Sequence, residues 1–169
     1  VVGRRPGLEL LQEPQPPLLQ RGWRFVPVTR HEVTLFHRGN TGGDHAEGME
    51  TILGDRTKDL DRLDGRTWDA VIDSCGYYPA DVKASAEALS DKVGRYLFVS
   101  TISVYKPQSK PILETDPLHE PFEGMSLTEM SPESYGPLKV LCEQEVRRVY
   151  GDRCTIVRPG LVVGPGDYT

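Results

Sequence analysis

From His31 onward, brief apolar runs of β-forming residues alternate with stretches of helical period, and that alternation limits the chain to few folds. Val33-Thr34-Leu35-Phe36, Glu50-Thr51-Ile52-Leu53, Ala70-Val71-Ile72-Asp73, Tyr96-Leu97-Phe98-Val99 and Thr155-Ile156-Val157 are candidate strands. They are short and mostly apolar, as strands buried on both faces are. Between them, residues 80–89 and 138–150 carry Val82, Ala86 and Leu89, then Leu138, Leu141, Val146 and Val149, at helical spacing. Strand and helix in turn predict an α/β fold with a doubly wound parallel sheet. A chain of 169 residues, 37% hydrophobic and 27% charged, can bury one ordinary core and is too short for two full-sized domains.

Two regions break the alternation. Residues 106–132 are rich in Pro, Glu and Ser and read as a long surface loop of the kind that often borders an active site, or as a solvated rim. Residues 1–30 hold Pro6, Pro14, Pro16, Pro17 and Pro27 with Arg and Gln between them, and present no strand followed by a glycine turn and helix. The organisation is therefore an atypical segment over 1–30 followed by one α/β domain over 31–169.

A net charge of −5 gives no chain-wide basic surface for a phosphate backbone, so nucleic acid is not the expected partner. Cys75, Cys142 and Cys154 are odd in number and lie in no CxxC or Cys/His pattern, which fits reduced thiols in the cytoplasm and predicts no metal site. Apolar stretches end well short of a membrane span, and Glu9, Gln12 and Glu13 interrupt any signal-like core near the start.

The chemistry is concentrated in Tyr135-Gly136-Pro137-Leu138-Lys139, preceded by Phe98-Val99-Ser100-Thr101-Ile102-Ser103-Val104-Tyr105. A tyrosine and a lysine four apart on a helix project from one face, where an ammonium favours the phenolate. The need is quantitative: a phenol near pKa 10 is a poor base at neutral pH, and lowering it by about 3 units takes roughly 4 kcal/mol. Pro137 is best tolerated in a first turn, which predicts a helix start close to Ser134.

With the run Arg158-Pro159-Gly160-Leu161-Val162-Val163-Gly164-Pro165 in the same order, residues 31–167 resemble the extended short-chain dehydrogenase/reductase family, also called the NAD-dependent epimerase/dehydratase family. The resemblance implies a Rossmann-like doubly wound parallel sheet. It also implies Tyr135 as general acid/base, Lys139 on the nicotinamide ribose, and Thr101, with Ser100 as neighbour and fallback, on the substrate oxygen. His37 stands where the family carries an acidic residue for the adenosine ribose. With Arg38 after it, a 2′-phosphate is favoured, so NADP is expected over NAD. Asp55 matches the adenine contact, with a local helix-capping role as its alternative, and the backbone N–H of Arg56 would serve the same ring. Ser74, Cys75 and Gly76 match a small-residue turn close to the cofactor's phosphate and ribose. Pro159, Gly160 and Leu161 match the wall beside the nicotinamide.

The family's opening strand and GxxGxxG turn have no counterpart, since Gly3 and Gly7 are separated by Arg-Arg-Pro and Gly22 stands alone. Residues 1–30 thus read as an out-of-frame or spliced replacement for the first βα unit, and the chain as a fragment of about half the family's length. The activity implied is an NAD(P)-dependent reductase, epimerase or dehydratase acting on a small carbonyl or sugar-nucleotide substrate, cytoplasmic and compatible with a homodimer. Two other readings stay open: a non-catalytic NAD(P)-binding or RNA-associated regulatory relative, and an inactive truncated fragment.

Overall fold

The apolar runs form a single sheet. The computed structural model describes residues 2–4, 31–40 and 49–164. Its strands are β1 (Val2–Arg4), β2 (His31–His37), β3 (Glu50–Leu53), β4 (Trp68–Asp73), β5 (Val93–Val99) and β6 (Cys154–Val157), with helices α1 (Pro79–Ala88) and α2 (Pro132–Tyr150). They lie in the order β3-β2-β1-β4-β5-β6, the pattern of a doubly wound sheet whose direction of travel reverses between β1 and β4. Ligands of such sheets sit beyond the carboxyl ends of the strands near that reversal.

Strand pairs β2/β3, β4/β5 and β5/β6 are parallel, while β1 runs antiparallel to both β2 and β4. Within 1–30, where no strand followed by a glycine turn and helix was expected, Val2–Arg4 nevertheless forms a strand in the central position, in the opposite direction to its neighbours. Three residues carry no readable period, and backbone pairing is indifferent to side-chain type. The remainder of that segment, with Gly7 and Gly22, lies outside the described residues.

The core forms where α1 and α2 pack on β4 and β5. Val71, Tyr96 and Phe98 meet Val82, Ala86 and Leu89 of the α1 region and Cys142, Val146 and Tyr150 of α2. Burial of the strands is one-sided: Val71 and Asp73 are buried, whereas Ile72 between them is 50% exposed. The sequence reading of strands covered on both faces therefore fails at β4, because the described helices pack against its inward pair.

Both helices begin as their sequences dictate. Pro79 opens α1, with Val82, Ser85 and Ala86 on the buried face. In α2 the Ser134 N–H donates to Ser131 Oγ (3.1 Å) and the Ser131 N–H to Ser134 Oγ (2.8 Å), a reciprocal cap with Pro132 in the first turn. The helix thus starts earlier than Pro137 suggested, and Pro137 lies inside it.

The 106–131 stretch is a loop closed on itself. Tyr105 bridges to Leu118, the His119 N–H donates to Val104 O (2.8 Å), and the Lys106 N–H to Pro117 O (2.9 Å). Its return lays His119 against Gly136, where an added Cβ would strike the Ser103 carbonyl oxygen. Gly136→Ala is expected to destabilise the protein by up to about 2 kcal/mol, because a clash with backbone falls at the upper end of the ~1–3 kcal/mol cost of overpacking and outweighs the ~1 kcal/mol gain in helix propensity. Urea unfolding measures it; unchanged or increased stability would show that α2 does not need this close approach.

Candidate active site

A cleft of about 220 Å³ opens at the carboxyl ends of β4, β5 and β6. Seven residues singled out from sequence line it: Ser74, Ser100, Thr101, Tyr135, Lys139, Pro159 and Gly160; Tyr77, Val99 and Val162 complete the wall. The volume falls below the ~300–1,000 Å³ of a typical small-molecule site, so it suits one end of a larger ligand. A larger cavity of about 410 Å³, walled by Ile102, Tyr105, Ile112, Leu113, Glu114, Arg147, Ile156 and Arg158, holds none of the residues given catalytic or cofactor roles. The 106–131 loop contributes to that cavity and not to the cleft.

Lys139 is the best-fixed group in the cleft. It is 3% exposed, and its ammonium donates to Gly76 O (2.7 Å) and Val99 O (2.9 Å). The ring of Phe98 lies 4.2 Å from Nζ and that of Tyr77 5.7 Å. Burial pulls the Lys139 pKa below that of an ordinary lysine, against the raising influence of Cys142, Asp73 and Glu143. The proton is therefore held less firmly than on a surface lysine. Gly76 has to be glycine for this geometry, since a Cβ there would come within 2.6 Å of both Phe98 and Val82. Its carbonyl reaches Lys139 because the chain packs so closely.

Two hydroxyls stand on the neighbouring wall and differ in their commitments. Thr101 Oγ1 caps the short Ile102–Val104 turn, accepting from the Ser103 N–H (3.1 Å) and donating to Ser103 Oγ (3.3 Å). Ser100 Oγ is buried with no hydrogen-bond partner among the described residues. Such a group carries a desolvation cost until something bonds it.

The walls are tied together behind the cleft. The Ser100 N–H donates to Val157 O (2.7 Å) and the Ile102 N–H to Pro159 O (2.9 Å). Arg158 donates from Nε to Glu143 Oε1 (2.9 Å), from one terminal nitrogen to Glu143 Oε2 (2.6 Å), and from the other to the Tyr105 hydroxyl (2.7 Å). One guanidinium thus joins α2, the end of the 102–104 turn and the exit of β6. Those Glu143 hydrogen bonds raise the basicity of Arg158 despite its partial burial.

Of the predicted cofactor residues outside the cleft, His37 closes β2 and accepts the Gly39 N–H on Nδ1 (2.9 Å), and Arg38 after it is exposed. Asp55 Oδ1 accepts the Thr57 N–H (2.9 Å) and hydroxyl (2.8 Å) within a local turn; no helix starts near Thr57 for it to cap, the nearest being the short Leu60–Leu63 turn, and this backbone hydrogen bond heads the causes that lower the Asp55 pKa. Arg56 turns inward, making paired bonds of 2.9 Å to Asp73 and one of 2.9 Å to Ser85 Oγ. Asp73 also accepts the Tyr96 hydroxyl (2.7 Å) and the Cys75 N–H (3.2 Å). Burial pushes Tyr96 well up, reinforced by Asp73, so it stays protonated and donates. The Cys75 thiol is exposed, 3.6 Å from the Arg56 guanidinium. All three cysteines are free, and burial pushes Cys142 up to about 12, an inert thiol. Leu161 is 93% exposed and does not line the cleft, which Val162 borders instead, itself 69% exposed.

Sequence reasoning missed Tyr77. The available signal was an aromatic pair, Tyr77-Tyr78, directly after the small turn 74–76. Among the described residues there is no cluster suited to a metal ion and no helix long and apolar enough to cross a membrane.

No family model matches the sequence, and no curated protein matches it. Solved structures do. UDP-glucuronic acid 4-epimerase from Bacillus cereus, in complex with NAD, aligns with a TM-score of 0.57 at 18% identity over 80% of this chain and 50% of the epimerase. MoeE5, in complex with UDP-glucose and NAD, aligns with a TM-score of 0.51 at 20% identity over 74% of this chain and 44% of its own. The chain spans about half the length of these structures, and the likeness is one of fold: a Rossmann-like α/β sheet.

Proposed function

We propose that this chain is the dinucleotide-binding part of an NAD(P)-dependent oxidoreductase or epimerase of the extended short-chain dehydrogenase/reductase type, acting on a small carbonyl or sugar-nucleotide substrate. The observation that carries the reading is the convergence of Thr101, Tyr135 and Lys139, distant in sequence, on one cleft at the carboxyl ends of the strands. The NAD complexes of the two structural neighbours support the same class of cofactor.

The residues of the cleft fit the nicotinamide end of a dinucleotide. Lys139 offers a buried cation beside Ser74, and Ser100 offers a buried hydroxyl with capacity to spare. When bound, the nicotinamide supplies hydride exchange. The chain's own residues handle the proton. Tyr135, in the second turn of a rigidly capped helix, gives or takes it at the phenol oxygen. Lys139 stabilises the phenolate and the ribose hydroxyls from a position set by two carbonyls. Thr101 orients the substrate oxygen, and Ser100 supplements it, because the Thr101 hydroxyl is shared with Ser103.

Titration of the purified chain with NADPH and NADH, followed by fluorescence or melting temperature, tests this. Both are expected to bind, NADPH more tightly. Replacing the exposed Arg38 by Gln should weaken NADPH about tenfold while leaving NADH within about twofold, the effect of removing one charged partner from a phosphate. Absence of binding by either would end the dinucleotide reading; equal effects on both would end the role of Arg38.

A further inference from the structure

We infer that Tyr77 is the aromatic platform of the cleft, contacting the flat nicotinamide end of the bound dinucleotide. This rests on the dinucleotide reading above and extends it to a residue that neither the motifs nor the fold assigns.

Tyr77 lines the cleft with Tyr135 and Lys139, yet it is 46% exposed. Its hydroxyl forms no hydrogen bond with any described residue, so neither the ring nor its polar tip is used up by the fold. A large ring left half in water forgoes much of the stabilisation that burying it would give. The position is nevertheless rigid. Gly76 on one side is locked by Phe98, Val82 and the Lys139 hydrogen bond. On the other side, the Val82 N–H donates to Tyr78 O (3.1 Å) and Pro79 opens α1.

The ring also lies where a ligand must pass. Phe98, at 4.2 Å, supplies the close aromatic contact to the Lys139 ammonium, while Tyr77, at 5.7 Å, sits near the outer limit of such an attraction. One face of Tyr77 is thus only weakly engaged. A flat group drawn to Lys139 within a 220 Å³ cleft lined by Tyr77 has that ring available for offset or tilted stacking. The ligand class is a planar heteroaromatic ring carried on a ribose.

The test compares each dinucleotide with its counterpart lacking nicotinamide: NADH with ADP-ribose, and NADPH with 2′-phospho-ADP-ribose. In Tyr77→Ala, affinity for the dinucleotides should fall about fivefold to tenfold and that for the shorter ligands stay within about twofold, with Tyr77→Phe close to wild type. Equal loss for both kinds of ligand, or unchanged dinucleotide affinity in Tyr77→Ala while the wild type binds, overturns the role of Tyr77 alone. Failure of the wild-type chain to bind any of the four overturns the dinucleotide reading and this inference with it.

Discussion

Tyr135→Phe is expected to lower turnover by about 10²-fold or more while leaving dinucleotide affinity within about twofold. Phenylalanine keeps the ring that fills its place at the start of α2 and deletes only the oxygen. The Ser131–Ser134 cap, Gly136 and the Lys139 hydrogen bonds do not depend on that oxygen, so the backbone and the ammonium should hold their positions. A loss confined to kcat, with binding retained, therefore isolates proton transfer. Turnover at the wild-type rate would remove Tyr135 from the chemistry and leave the cleft as a binding site.

Asp73→Ala is expected to cost about 3–5 kcal/mol of stability, the penalty for breaking a buried ion pair by removing one partner. Asp73 is 7% exposed and Arg56 17%, and the pair is joined by two bonds of 2.9 Å with Tyr96 donating to the same carboxylate. Removing the carboxylate strands a guanidinium and a phenol together. At about 2–4 °C per kcal/mol for a chain of this size, the melting temperature should fall by about 10 °C. Replacing both partners at once, Asp73→Leu with Arg56→Met, should recover most of it, since no unpaired charge is then left behind. The pH dependence has a definite sign. Burial alone would raise the Asp73 pKa, but Arg56 and the hydrogen bonds overcome it and the carboxyl lies below its ordinary 3.8. Its contribution is thus present above that pH and is lost as pH falls through the lowered value. Thermal unfolding at neutral pH and in acid measures both effects; a fall of only a degree or two in Asp73→Ala would mean that the pair contributes little.

What could be read from the sequence was whatever is local. β3 matched its apolar run, and β2, β4, β5 and β6 gained one to three residues at their starts, where Trp68 and Val93 extend the ladder, with His37 added at the end of β2. The motif residues converged because each sits at the carboxyl end of a parallel strand or at the head of α2, places that the alternation of elements already determined. Charges behaved differently. Arg56, expected to serve the adenine ring through its backbone N–H, sends its side chain to a carboxylate 17 positions away, and Glu143 of α2 is held by Arg158, a pairing that no local pattern announces. An acidic residue ending an apolar strand, as Asp73 does, was the available hint of an internal pair. Pro137 misled because the serine cap at 131 dominates the choice of start.

The ammonium of Lys139 fastens two separate strand ends, through Gly76 O beyond β4 and Val99 O at the end of β5. The side chain nearest the proposed chemistry is thus also a rivet through the rim of the sheet. Removing it would slacken the mouth of the crevice and silence it together, so an inactive Lys139 variant says little about reactivity by itself. An occupant that accepts the remaining ammonium N–H is thereby tethered to both strand ends through one side chain.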